Sequence, residues 1–240
     1  MLGRLFNKLT GTSNHQRLKF YEVGYHGDKY LLELVDFLFQ QDAKYFIETG
    51  SNVGSTLVYT AKKFPNVICL SCEPDERAFL QASQNASACD KVTIYPETSQ
   101  AFLKILNNKH QASFEEASIF WIDAHGYGFD WPLREEINFI MSHYKAYMIL
   151  IDDFLVPHLD CFLYDVYKEH ICSFDYIESS IPKNANYRVI YPNYTEHTSR
   201  HHPLKGWGLI TNVKLNIPEH IKNFITNERK THSSQSVDEM

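Results

Sequence analysis

At 240 residues, with 44% hydrophobic and 22% charged content, the chain has a globular composition and enough length to bury a substantial core. A net charge of -6 and the lack of a Lys/Arg run exclude a nucleic-acid surface, and no apolar stretch reaches the length of a membrane span. The five cysteines read as reduced core thiols of a cytoplasmic protein, with Cys69, Cys72 and Cys161 in apolar surroundings.

The first residues, Met1 to Leu9, are basic and mildly amphipathic but lack the apolar segment and cleavage site of a signal peptide, so they read as a docking or frayed helix. From Asp28 the pattern becomes regular. Asp28 to Phe39 has helical spacing of apolar residues with Asp28 as N-cap. Lys44 to Glu48 is a short strand, followed by a Gly-rich turn and a helix through Lys63. Asn66 to Glu73 is a second strand, and Asp75 to Ala86 a helix. Val92 to Tyr95 is a third strand, and Ser99 to Asn107 a helix. Ala117 to Asp123 and Tyr147 to Asp153 are the fourth and fifth strands, with a helix over Pro132 to His143 between them. A helix near Leu159 to His170 then precedes a final strand pair, Phe174 to Glu178 and Gly206 to Thr211. Strands alternating with helices predict an α/β fold with a mostly parallel sheet. No linker divides the core, so one domain is expected over residues 28–227, with an N-terminal extension over 1–27 and a polar, disordered tail over 228–240.

In an open parallel sheet, ligands lie beyond the carboxyl ends of the strands. Two expected strands end there in aspartates: Asp123, and Asp152 with Asp153. Asp123 and Asp152 are 29 positions apart, which suits strand, helix and neighbouring strand. Three converging carboxylates suit a hard cation such as Mg²⁺ with chemistry beside it. A strand-end Asp also serves as a loop anchor, and Asp153 is placed to cap a following helix. The first strand runs into Glu48-Thr-Gly50-Ser51-Asn-Val-Gly54-Ser55, where glycines let the backbone approach a ligand and the next helix offers free N–H groups. The G-x-x-x-G spacing differs from the dinucleotide fingerprint, and Glu48 would repel a pyrophosphate while suiting a cationic ligand. That favours S-adenosylmethionine over NAD. Glu73 ends the second strand, where a carboxylate accepts ribose hydroxyls or simply opens a helix. Ser99 starts a helix, where it would meet an adenine edge or act as a cap.

The order Glu48-x-Gly50-x-x-x-Gly54-Ser55, Glu73-Pro-Asp75, Thr98-Ser99-Gln100, Asp123 and Asp152-Asp153 resembles the class I S-adenosylmethionine-dependent methyltransferases. More narrowly it is similar to metal-dependent O-methyltransferases of the catechol and macrocin-sugar types, over roughly residues 28–212. The resemblance implies a seven-stranded, Rossmann-like, mostly parallel sheet with helices on both faces and an antiparallel last strand. It implies that Gly50, Ser51 and Ser55 line the methionine end, that Glu73 holds the ribose and that Ser99 meets the adenine. It implies Mg²⁺ on Asp123, Asp152 and Asp153.

Catechol-type enzymes carry a lysine base three residues after the first metal aspartate, a position that is Gly126 here. His125, with an ordinary pKa of about 6.5, is the expected base; Asp123, or metal activation alone, is the alternative. Tyr21, Tyr25, His26 and the aromatics of the Gly126 to Trp131 stretch are expected either to stack on an acceptor ring or to pack. Tyr191 to Lys205 reads as a substrate lid or a disordered excursion, and its histidines lack the spacing of a zinc site. The expected activity is methyl transfer to a hydroxylated small molecule, a sugar among the candidates, by a chain free to form a homo-oligomer. An NAD-dependent oxidoreductase and a non-catalytic cofactor-binding module that scaffolds a partner are the competing readings.

Overall fold

The computed structural model describes residues 18–124 and 131–231. In chain order these form α1 (Lys29–Phe39), β1 (Tyr45–Thr49), α2 (Ser55–Lys63), β2 (Ile68–Cys72), α3 (Glu76–Asn85), β3 (Val92–Tyr95), α4 (Ser99–Lys109), β4 (Ala117–Ile122), α5 (Leu133–His143) and β5 (Ala146–Asp152). There follow β6 (Val166–Tyr167), β7 (His170–Ile171), α6 (Phe174–Glu178), β8 (Asn186–Pro192), β9 (Trp207–Thr211), α7 (Glu219–Lys222) and β10 (Ile225–Thr231). The local signals explain the early boundaries. The Asp28 carboxylate accepts from the Tyr30 and Leu31 N–H groups, Asp75 from Ala78 and Thr98 from Ala101, so α1, α3 and α4 each begin on a side-chain cap.

The main sheet has the order β10-β8-β9-β5-β4-β1-β2-β3. Strands β1 to β5 are mutually parallel, while β9 runs antiparallel between β5 and β8. This is a Rossmann-like, mostly parallel sheet with an antiparallel last strand. The central strands are buried almost throughout, as is expected of a sheet covered on both faces: Phe46 and Ile47 of β1, Ile119 to Ile122 of β4, and Tyr147 to Ile151 of β5.

Several local expectations are corrected. The sheet has eight strands rather than seven because Ile225–Thr231 pairs antiparallel with β8, so Glu228 to Thr231 belong to a strand and not to a tail. That segment is polar in sequence because an edge strand needs little apolar surface. Residues 232–240 lie outside the described residues. Phe174 to Glu178 is the helix α6, capped by Ser173, and not a strand. Its short F-D-Y-I-E run fits both periods, and the buried pair is Phe174 with Ile177, three apart. The strand beside β9 is Asn186–Pro192 instead. Leu159 to His170 forms turns and the β6–β7 hairpin, with positive φ at His158 and Lys168, where a helix was expected. Cys161 is exposed on this turn-rich surface, whereas Cys69 and Cys72 are buried; all five thiols are free.

Candidate active site

The strand order reverses on either side of β1, whose neighbours are β2 and β4. A crevice therefore opens beyond the carboxyl ends of these strands. Register sets what meets there. Thr49 is opposite both Cys72 and Ile122, so the Gly50 loop lies between Glu73 and Asp123. Ile122 is opposite Ile151, which sets Asp123 beside Asp152. Trp207 is opposite Asp152, and because β9 is antiparallel the residues just before it, including Lys205, overhang the same strand end.

The result is a cavity of about 720 Å³, within the usual range for small-molecule sites. Glu48, Gly50, Ser51, Ser55, Glu73, Ser99, Asp123, Asp152 and Asp153 all line it. Gly54 does not: it is the left-handed N-cap of α2 and faces Ala82 of α3. His125 and the 126–130 stretch lie outside the described residues. Trp131 stacks on Tyr176 at 4.9 Å, and Tyr25 is fully buried with its hydroxyl 2.8 Å from Thr60 Oγ1, so both are packing residues.

In the loop half, Gly50 has φ +79°, and a Cβ there would lie 2.7 Å from the Asp123 carbonyl oxygen. Only glycine allows β1 and β4 to end this close together. The Ser51 hydroxyl is buried without a hydrogen-bond partner among the described residues. Glu73 accepts from Asn52 N at 2.7 Å and Asp75 N at 2.9 Å, and burial still raises its pKa. The Ser99 hydroxyl donates to the buried Glu136. Burial lifts Glu48 to about 8, against the lowering effect of a hydrogen bond from Ser71 and with Asp123 adding to the rise.

In the aspartate half, Asp123, Asp152 and Asp153 each offer an oxygen, all within 4.8 Å of one another. Two of these carboxylates carry partners that sequence reading missed. The His26 Nε2 lies 2.8 and 2.9 Å from the two oxygens of Asp152, and the Lys205 ammonium donates to Asp153. Burial opposes ionisation of Asp152, but His26 outweighs it and holds the carboxyl below its usual value. Burial would depress His26, yet Asp152 lifts it to about 9. Burial and Asp152 push Asp153 up to about 7, whereas Lys205 is raised by Asp153 despite its own burial. The direct contact favours the ionised Asp153–Lys205 pair, and the raised carboxyl reflects the crowding beside Asp152. His201 and His202 complete this wall, with His201 stacked on Tyr21 at 4.4 Å and His202 depressed to about 4 by burial and neighbouring cations.

No protein-family model matches the chain, and no curated protein matches it either. Solved structures do. The O-methyltransferase TomG of Streptomyces achromogenes, involved in tomaymycin synthesis and solved with S-adenosylmethionine, superposes with a TM-score of 0.55 at 13% identity over 76% of this chain and 78% of that one. An O-methyltransferase of Bacillus cereus solved with S-adenosylhomocysteine gives 0.51 at 12% identity over 76% and 79%. Among the described residues no helix is long and apolar enough to cross a membrane. The chain shares the Rossmann-like fold of these two O-methyltransferases.

Proposed function

We propose that the chain is an O-methyltransferase that moves a methyl group from S-adenosylmethionine to a hydroxyl of a small molecule, a glycosyl group among the candidate acceptors. One observation carries the reading: the loop suited to a cationic nucleoside and the carboxylates suited to a hydroxylated acceptor share a single 720 Å³ cavity. Glu48 and the unpartnered Ser51 hydroxyl suit the ammonium and carboxylate of the methionine end, with Gly50 and Ser55 beside them. Glu73 suits the ribose hydroxyls and Ser99 the adenine. A buried acid at the end of β1, just before the glycine loop, weighs against a pyrophosphate and so against NAD, and an open cavity weighs against a purely scaffolding module. The catalytic domain would run from residue 28 to the end of β10 at Thr231, with the N-terminal extension forming part of its acceptor wall.

The donor set also fits Mg²⁺, which takes a few carboxylate oxygens plus water and substrate oxygens. Asp123, Asp152 and Asp153 would hold it; their His26 and Lys205 partners do not exhaust the lone pairs of a carboxylate. When bound, such an ion orients vicinal hydroxyls and makes the attacking oxygen more acidic. The acceptor oxygen then attacks the methyl carbon as the S–CH₃ bond breaks, the sulfonium becomes the neutral thioether of S-adenosylhomocysteine, and the hydroxyl proton passes to His125 or Asp123. In-line alignment of oxygen, carbon and sulfur supplies much of the rate enhancement.

Calorimetry with S-adenosylmethionine, with and without Mg²⁺, tests the cofactor assignment, and a screen of sugar and phenol acceptors tests the activity. Binding with a Kd in the micromolar range is expected; no binding in either condition refutes the proposal. Asp152→Ala should keep cofactor affinity within about threefold while losing more than about 100-fold in turnover. Full turnover would remove the metal from the mechanism and leave methyl transfer standing.

A further inference from the structure

The segment Leu18 to His26 lies along the cavity and is held there by hydrogen bonds at Tyr21, Tyr25 and His26. The Tyr21 N–H donates to Ser55 Oγ at 2.9 Å and the Tyr25 N–H to Thr56 Oγ1 at 3.3 Å, tying it to the first turn of α2. A Cβ on Gly24 would lie 2.7 Å from Thr56 Cα, so the contact is backbone against backbone. Next come three successive residues with positive φ: Tyr25 at 52°, His26 at 57° and Gly27 at 65°. For two non-glycine residues in a row this is a costly turn, of order 1–3 kcal/mol each, and such strain persists only where surrounding contacts over-determine it. Those contacts are present. The His26 carbonyl accepts from Ser199 Oγ at 2.9 Å, Arg200 N at 3.2 Å and His201 N at 3.4 Å. Asp28, directly after the turn, caps α1 and also accepts from Tyr194 Oη and Thr198 Oγ1, each at 2.7 Å.

What this turn achieves is the placement of one ring. The His26 imidazole is 17% exposed and the Asp152 side chain 3%, and they meet across 126 residues of sequence. We propose that His26 is a positioning residue of the acceptor site: its Nε2–H fixes the Asp152 carboxylate so that its oxygens converge with those of Asp123 and Asp153. The proposal rests on the methyl-transfer reading with a divalent cation. Outer partners of this kind set the geometry of first ligands, and their loss typically costs about 10–100-fold in metal affinity.

Two amide variants test it, because the Asn side-chain nitrogen reaches only the Nδ1 position of the ring, whereas that of Gln reaches the Nε2 position. Titration of the full-length protein with Mn²⁺, alongside S-adenosylhomocysteine calorimetry and thermal melts, reads the outcome. His26→Asn should weaken Mn²⁺ binding by about 10–100-fold, with S-adenosylhomocysteine affinity within about twofold of the unsubstituted protein. His26→Gln should recover most of the metal affinity. A purely structural role predicts the reverse order, since Asn tolerates positive φ better than Gln and would be the milder change. Equal or tighter Mn²⁺ binding by His26→Asn, an Asn variant milder than Gln, or no Mn²⁺ binding by the unsubstituted protein overturns the proposal. Failure of that protein to bind S-adenosylhomocysteine would instead refute methyl transfer itself.

Discussion

Glu48 is buried at the end of β1, where the Ser71 hydroxyl donates to it and burial raises its pKa from 4.5 to about 8. A folded-state pKa above the unfolded one means that the folded chain holds this proton more tightly. The associated stabilisation is fully present below the unfolded value of 4.5 and is lost as pH rises through about 8. Urea melts of the ligand-free protein should therefore show a contribution falling between about pH 5 and about pH 8, by at most about 1.4 kcal/mol per pH unit. Glu48→Gln should remove that slope; an unchanged slope would show that Glu48 is already ionised in the fold. A cation placed beside Glu48 should expel the same proton. S-adenosylmethionine titrations at pH near 7, in buffers of different ionisation enthalpy, should accordingly report proton release in the parent protein and less in Glu48→Gln.

At the scale of elements, the glycine loop works because β1 and β4 terminate against each other. Gly50→Ala would force an L-residue to φ +79° and set its Cβ 2.7 Å from the Asp123 carbonyl oxygen. Relief would require the two strand ends to separate, which displaces Ser51 on one side and Asp123 on the other. The expected outcome is a destabilisation of about 1–3 kcal/mol together with a loss of S-adenosylhomocysteine affinity of more than about tenfold, measured by denaturant melts and calorimetry. Loss of stability with unchanged affinity would mean that the loop does not meet the cofactor. The helices that follow the loop strands begin where their caps lie, and Asp75 links two roles: it caps α3 while its N–H fixes a Glu73 oxygen.

At the scale of the molecule, the cavity has walls from both ends of the chain. Residues 18–27 form one side, and His201, His202 and Lys205, just before β9, form the neighbouring side. Deleting residues 1–27 removes the fully buried Tyr25 as well as the wall. Loss of that core side chain should cost about 3–5 kcal/mol, while the parallel sheet survives by far-ultraviolet circular dichroism. S-adenosylhomocysteine affinity should fall by about tenfold or more, because the segment's contacts with Ser55 and Thr56 stiffen the first turn of α2. Unchanged affinity would show that the extension serves the acceptor side alone.

Much of the fold was legible because its cues are local. The Asp28 cap, the apolar runs of β1, β4 and β5, and the carboxylates at their ends are written in consecutive residues, and they predict the α/β alternation and the end of the sheet at which the cavity opens. Short segments with mixed periodicity are not legible: the Phe174 to Glu178 run fits a strand as well as the helix α6, and β10 lacks the apolar alternation that marks a strand. His125, the expected base, and the expected ring-stacking aromatics of the 126–130 stretch lie outside the described residues, as does the Met1 to Leu9 segment. The sequence by itself determined which residue types end the central strands, and hence the chemistry available there. The tertiary structure alone decided their partners, bringing His26 to Asp152 across 126 residues and Lys205 to Asp153 across 52. The reason is physical: such contacts follow from the order and direction of strands, above all the antiparallel insertion of β9 beside β5, and local periodicity carries no record of which strand will lie next to which.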